Sequence, residues 1–182
     1  IGGDVIDEAM KLIGTSGQNA SHRLRLFRIA YGRAGSDDLL AVKDVKLIAE
    51  NHLKGGKIIL HWPDNQPDAS VAERKGYLKV MLNIVMLAEE TLAYGGVISL
   101  RSVTEGGQAG CCFEIVGRNA HLSPAFIEAL EATTPVNDLT PRTIQSYMTG
   151  RLAEHFGLKI AYDHAVADRL DITLCESAGV SD

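Results

Sequence analysis

Leu82-Asn83-Ile84-Val85-Met86-Leu87-Ala88, followed by Gly95-Gly96 and an apolar run over 97–103, is the stretch on which the fold turns. It reads as the later part of a helix that the glycines stop, with a strand directly after them. The helix spans 71–93, with Ser70 and Glu73 at capping-box spacing ahead of it. Upstream, 57–62 reads as a strand and 63–67 as a loop rich in Asp, Asn and Pro. Before these, Ser36 is the candidate N-cap of a helix running to about His52, with Asp37 and Asp38 in its first turn and Gly55-Gly56 at its end. Downstream, 97–103 and 111–116 are strands joined across Glu105-Gly106-Gly107. Ser123-Pro124 and Thr140-Pro141 each pair an N-cap with a first-turn proline and open a helix. The second of these ends at Gly157, and 158–162 and 170–174 close the chain as strands. This order predicts an α/β sandwich, a mixed sheet with helices on one face.

A long helix over 4–32 precedes that domain, with the boundary near Gly32–Ser36. Ile6, Met10, Ile13, Gly17, Ala20, Leu24, Phe27 and Tyr31 recur every three or four residues, and all of these but Gly17 form the candidate seam of a coiled coil or bundle. An amphipathic helix of this length needs a partner to cover its stripe. Acids open the helix and arginines close it, as the helix dipole favours. Asp7, Glu8, Lys11, Thr15, Gln18 and Asn19 form a polar face.

Composition sets the outer limits. The 182 residues are 46% hydrophobic and 23% charged, enough for one compact domain or two small ones. A net charge of −5 argues against bulk attraction to nucleic acid. No apolar run approaches the roughly 20 residues of a membrane span. The three cysteines include the adjacent Cys111-Cys112 and no C-x-x-C, which reads as neither a disulfide framework nor a zinc site and fits a reducing cytoplasm. All three fall in apolar strand segments, as core residues do. No H-x-x-x-H or H-E-x-x-H spacing offers a metal site, and no G-x-S-x-G marks a hydrolase nucleophile. The chain opens on Ile1 rather than Met, close to the start of a helical pattern, and the expectation is that a segment is missing before it.

The helix with Asn83 and its Gly95-Gly96 turn resembles the N-box of the histidine-kinase ATPase (Bergerat) fold. Set against that family, Leu87 stands where a second Asn would ligate magnesium, and an apolar chain cannot replace a hard oxygen ligand. Gly117 stands where the adenine-binding Asp would be, and Asn119 and His121 where phosphate-approaching glycines would be. The segment 138–143 before the last helix carries no glycine either. The resemblance implies an ATPase frame whose nucleotide site is dismantled.

With the long helix included, stretches 7–13, 25–32 and 82–84, and the Gly95-Gly96 pair, are similar to the histidine phosphotransferase ChpT family over essentially the whole chain. That resemblance implies an α+β class: a long helix of a dimeric four-helix bundle followed by a degenerate histidine-kinase ATPase-like α/β sandwich. Residues 1–34 would be the second helix of the dimerisation hairpin and 36–182 the ATPase-like domain. It implies a homodimer without cofactor or metal. This dimer would take a phosphoryl group onto a histidine from the receiver domain of a hybrid histidine kinase and pass it to response-regulator receivers. In that family the acceptor histidine lies on the first hairpin helix within H-D-x-x-[ST]-P; no such motif occurs here, so the acceptor is expected upstream of Ile1.

Among the six histidines, His22 is the one on the bundle helix, but it lies off the seam, has no acid after it and is flanked by Arg23. It reads as a flanking residue rather than an acceptor. The polar face from Asp7 to Asn19, with His22 and Arg23, is the candidate receiver-docking surface, against the simpler reading of a solvated helix face. Arg23, Arg25, Arg28 and Arg33 either complement the helix C-terminus or meet the acidic pocket of a receiver. Two other functions stay open: a divergent histidine-kinase or anti-sigma-type ATPase, which nucleotide titration would reveal, and a receiver-binding scaffold without chemistry.

Overall fold

The computed structural model of the protein describes residues 2–32 and 40–177. It opens with α1 (Gly2–Tyr31), one continuous helix of 30 residues. Then come α2 (Val42–Leu53), β1 (Ile58–His61), the short α3 (Ala69–Ala72) and α4 (Tyr77–Thr91). Strands β2 (Gly96–Glu105) and β3 (Gln108–Val116) form a hairpin, followed by α5 (Pro124–Leu130) and a 3-10 turn at Val136–Asp138. Helix α6 (Ile144–His155) and the strands β4 (Leu158–Asp163) and β5 (Arg169–Glu176) complete the fold.

The five strands lie in the order β1-β2-β3-β5-β4. Only β1 and β2 run parallel, because the chain crosses between them through α3 and α4; the other pairs are antiparallel. The β2–β3 turn is Gly106-Gly107, both with positive φ (56° and 83°), which matches the strand twist in a two-residue hairpin. Alternate residues Ile98 and Leu100, Phe113 and Ile115, and Leu170 and Ile172 face the core. The opposite face carries ions: the Arg169 guanidinium pairs with Glu114 at 2.8 Å and Asp171 at 2.7 Å.

Helix α4 occupies the centre. Thirteen of its 15 residues are buried, so it has no solvent stripe. The sheet covers one side, and α1, α2 and α6 pack on it from the other. Tyr77, at its start, donates its hydroxyl proton to Leu174 O at 2.8 Å, which ties the helix to β5. Burial raises the Tyr77 pKa and keeps that hydroxyl a donor.

Several local expectations need correction. The helix expected over 71–93 is two helices, because Gly76 takes φ +73° and lies so close to the Phe156 ring that a Cβ there would come within 2.2 Å of it. Ser70 sits inside α3, with Asp68 at the N-cap, so the Ser70–Glu73 capping box is not used. The second helix starts at Val42 behind Ala41, whose amide donates to Asp44 Oδ2 at 3.2 Å. Ser36, Asp37 and Asp38, the start signal read from sequence, lie outside the described residues. Thr140-Pro141 forms a turn rather than the first turn of α6: the Thr140 amide donates to Thr143 Oγ1 at 2.9 Å, and Thr143 is the N-cap. Ser123-Pro124 does start a helix, the Phe126 amide donating to Ser123 Oγ at 3.4 Å.

Candidate functional site

Helix α1 carries two apolar stripes, not one. Ile6, Met10, Ile13, Ala20, Leu24, Phe27 and Tyr31, the seam read from the sequence, are all exposed. Leu26 and Ala30 are fully buried against the α/β layer, with Ile29 half-buried beside them. Leu24 at 69% exposure and Leu26 at 0% show how sharply the faces divide. His22 lies one turn before Leu26 on the inner stripe; it is half-buried, and its Nδ1 is buried without a hydrogen-bond partner. Asp7, Glu8, Lys11, Thr15, Gln18, Asn19 and Arg23 are all exposed, and the Thr15 hydroxyl donates back to Lys11 O at 2.9 Å. Arg25 and Arg28 are exposed as well; Arg33 lies outside the described residues.

Of the proposed docking residues, the structure brings two to a feature of the α/β layer. Asn19 and Arg23 line a cleft of about 500 Å³ together with the ends of α2 and α4 and the start of β1. Lys54 and Lys57 add positive charge and Glu89 negative charge. His52 floors this cleft: its side chain is 3% exposed and its Nε2 lies 2.6 Å from Glu89 Oε2. The remaining polar residues, from Asp7 to Gln18, extend beyond the cleft along the open face of α1. None of this grouping is visible in the sequence, where Arg23, His52 and Glu89 are far apart.

Asn83, the first N-box position by resemblance, is engaged by the protein's own groups. Asn83 is fully buried, and its Nδ2 donates to Ala30 O of α1 at 3.1 Å and to Lys79 O at 3.0 Å. Gln145 of α6 donates from Nε2 to Asn83 Oδ1 at 3.2 Å, to Asn83 O at 3.1 Å and to Thr149 Oγ1 at 3.2 Å. The Tyr31 hydroxyl donates to Gln145 Oε1. Leu87 is fully buried in the core. Helix α6 packs directly on α4, so the first N-box position is a structural junction of three helices.

The loop that would hold adenine is likewise engaged within the chain. Gly117 packs backbone to backbone on the Gly95-Gly96 turn: a Cβ there would lie 2.7 Å from Gly95 O and 2.6 Å from Leu92 Cδ2. An Asp side chain at this position would collide with both. Asn119 adopts φ +60°, and its amide donates to Asp168 Oδ1 at 2.8 Å. His121 Nδ1 meets Asn119 O at 2.7 Å. Among the described residues, no group of three or more His, Cys, Asp or Glu side chains is placed to hold a metal ion, and no helix is long and apolar enough to cross a membrane.

Sequence reasoning singled out Leu87, Gly117, Asn119 and His121 but missed Lys79, Gln145 and Thr149. The available signal was the pair Lys79 and Asn83, polar residues one turn apart in a run otherwise apolar from Val80 to Ala88. Such residues are buried only with partners.

Comparison with known proteins follows the same lines. Residues 42–168 match the family model described as histidine phosphotransferase C-terminal domain. The protein phosphotransferase ChpT of Brucella abortus (strain 2308) is 31% identical over 169 residues, covering 91% of this chain and 78% of that protein. A bacterial phosphotransferase of known structure superposes with a TM-score of 0.72 at 26% identity, over 92% of this chain and 78% of the other. The blue-light activated histidine kinase EL346 of Erythrobacter litoralis matches with a TM-score of 0.51 at 13% identity, over 90% of this chain and 49% of its own, and so shares the fold.

Proposed function

We propose, from the premise that this chain belongs to the histidine phosphotransferase family, that it shuttles phosphoryl groups between receiver aspartates of a hybrid histidine kinase and of response regulators, without using ATP. The family carries the phosphotransfer role in a phosphorelay; the receivers, the independence from ATP and a cytoplasmic location are part of the proposal. The observation that supports it is the engagement of Asn83, the first N-box position by resemblance: its side chain is held within the chain by Ala30 O and Gln145. In this reading the phosphoryl donor is one other than ATP. An aspartyl phosphate supplies one at nearly equal energy: an imidazole nitrogen attacks phosphorus, the acyl phosphate P–O bond breaks and the receiver carboxylate leaves. The protein's contribution is alignment of the two partners.

In this reading, residues 1–34 are a bundle helix and 36–182 the ATPase-like domain. The exposed seam of α1 is the homodimer interface, and the acceptor imidazole is none of the six histidines here. His22 supports that last point, because its ring is half-buried on the inner stripe with Nδ1 shut from solvent. The receiver-docking surface is the polar face of α1 ending at the Asn19–Arg23 cleft.

The test uses full-length protein. Incubation with a phosphorylated receiver should move label onto it and then onto a second receiver, with no ATP present. Calorimetric titration with ATP and magnesium should give no binding heat. Tight nucleotide binding, or complex formation with receivers but no transfer, would overturn the reading in favour of a divergent ATPase or an inert scaffold respectively.

A further inference from the structure

We propose that Lys79, Asn83 and Gln145 are positioning residues for phosphoryl transfer. They clamp the C-terminal end of α1 to the α/β layer and so hold Asn19 and Arg23 opposite Lys54 and Lys57 as one rigid docking cleft. The proposal rests on the receiver-binding reading above.

The last carbonyls of any helix lack partners within it. At this end of α1, Ala30 O accepts from Asn83 Nδ2 at 3.1 Å, and Gly32 O, one residue past the helix, accepts from Lys79 Nζ at 2.6 Å. Both donors are buried, Asn83 at 0% and Lys79 at 2% exposure. Gln145 extends the clamp to a third helix, accepting from the Tyr31 hydroxyl on one side and donating to Asn83 on the other. Apolar contacts such as those of Leu26 and Ala30 let a helix slide or roll at little penalty, because dispersion and burial have no preferred direction. Hydrogen bonds in a low-dielectric interior do have one, and they fix both the rotation and the tilt of α1.

The lever is long. Asn19 lies eleven residues before Ala30, about 16 Å along the helix axis, so a tilt of about 10° at the clamp displaces it by about 3 Å. A cleft built half on α1 and half on the ends of α2 and α4 would lose its shape at that displacement.

The experiment uses full-length protein with Gln145→Ala, Tyr31→Phe and Asn83→Ala. Gln145 is part-exposed, so its truncation keeps the test open if Asn83→Ala does not fold. Spin labels at Gln18→Cys on α1 and Glu128→Cys on α5, both exposed in the native protein, report the angle between helix and domain by pulsed EPR. The native cysteines are buried and leave the labelling selective. The expected result is a narrow distance distribution in the parent that broadens in the folded variants, with the KM for the receiver rising about tenfold and kcat nearly unchanged. Distributions unchanged in folded Gln145→Ala and Tyr31→Phe would overturn the clamp, and broadening without a KM change would overturn its role in docking. If the parent neither binds nor phosphorylates a receiver, the functional reading fails instead, and the docking role falls with it. The clamp is then decided by the spin-label distances alone.

Discussion

A methyl group at Gly150 would sit 1.9 Å from Leu130 O, inside the contact between α6 and α5. Gly150→Ala therefore forces these helices apart, and urea unfolding should show a loss of about 1–3 kcal/mol. Cys111 offers a different test. Burial pushes its thiol up to about 12 from 9.0. The unfolded thiol ionises first, so this contribution is complete below about pH 9 and is lost as pH rises toward 12. Stability should fall by about 1.4 kcal/mol per pH unit from this group across that window, and Cys111→Ala should flatten the slope of a pH series. Leu87 shows what one substitution cannot undo. Leu87→Asn restores the apparent magnesium ligand but buries an amide in the core, so it should lower stability by about 1–3 kcal/mol and give no nucleotide heat in calorimetry.

Along α1, one apolar stripe is exposed and the other is buried against the α/β layer. The seam is legible in the sequence because its spacing repeats for the full helix. The inner stripe is not, because Leu26 and Ala30 occupy a single short arc at one end, too few positions to set a period. Leu26→Ala should cost about 2–5 kcal/mol in unfolding of the chain, since it empties a fully packed site. Leu24→Asp should leave that unfolding nearly unchanged, because the residue is 69% exposed, and should instead shift the mass in light scattering from dimer toward monomer. Equal loss of stability in both would contradict the division of faces. The strands and the Gly106-Gly107 hairpin were readable from local rules alone. The break at Gly76 was not, because the Phe156 ring that occupies its Cβ position comes from a residue 80 positions later.

For the molecule as a unit, the consequence is a mixed sheet and a buried α4 that together support a long helix. The sheet and α4 persist, as the likeness in fold to a histidine kinase shows. The face of α4 that the N-box resemblance assigns to nucleotide receives α6 and the end of α1. The open ionic face of the sheet is held by Arg169, Glu114 and Asp171. Because Arg169 links both acids, Arg169→Ala should lower the thermal unfolding midpoint by more than either acid's removal at low salt, and by less at high salt.

Residue order alone was enough for the succession of helices and strands, the mixed sheet and the apolar stripe of α1 from Ile6 to Tyr31. Those readings depend on near neighbours: periodicity, caps, glycine turns and the chemistry of single side chains. The use made of Asn83 depended on the fold. Its partners are 53 and 62 residues away, on helices whose approach is set by how the core packs. The same holds for the cleft at Arg23 and for the buried face of α1. A buried carboxamide must find hydrogen-bond partners, but which ones it finds is decided by the packing of helices that no local pattern brings together.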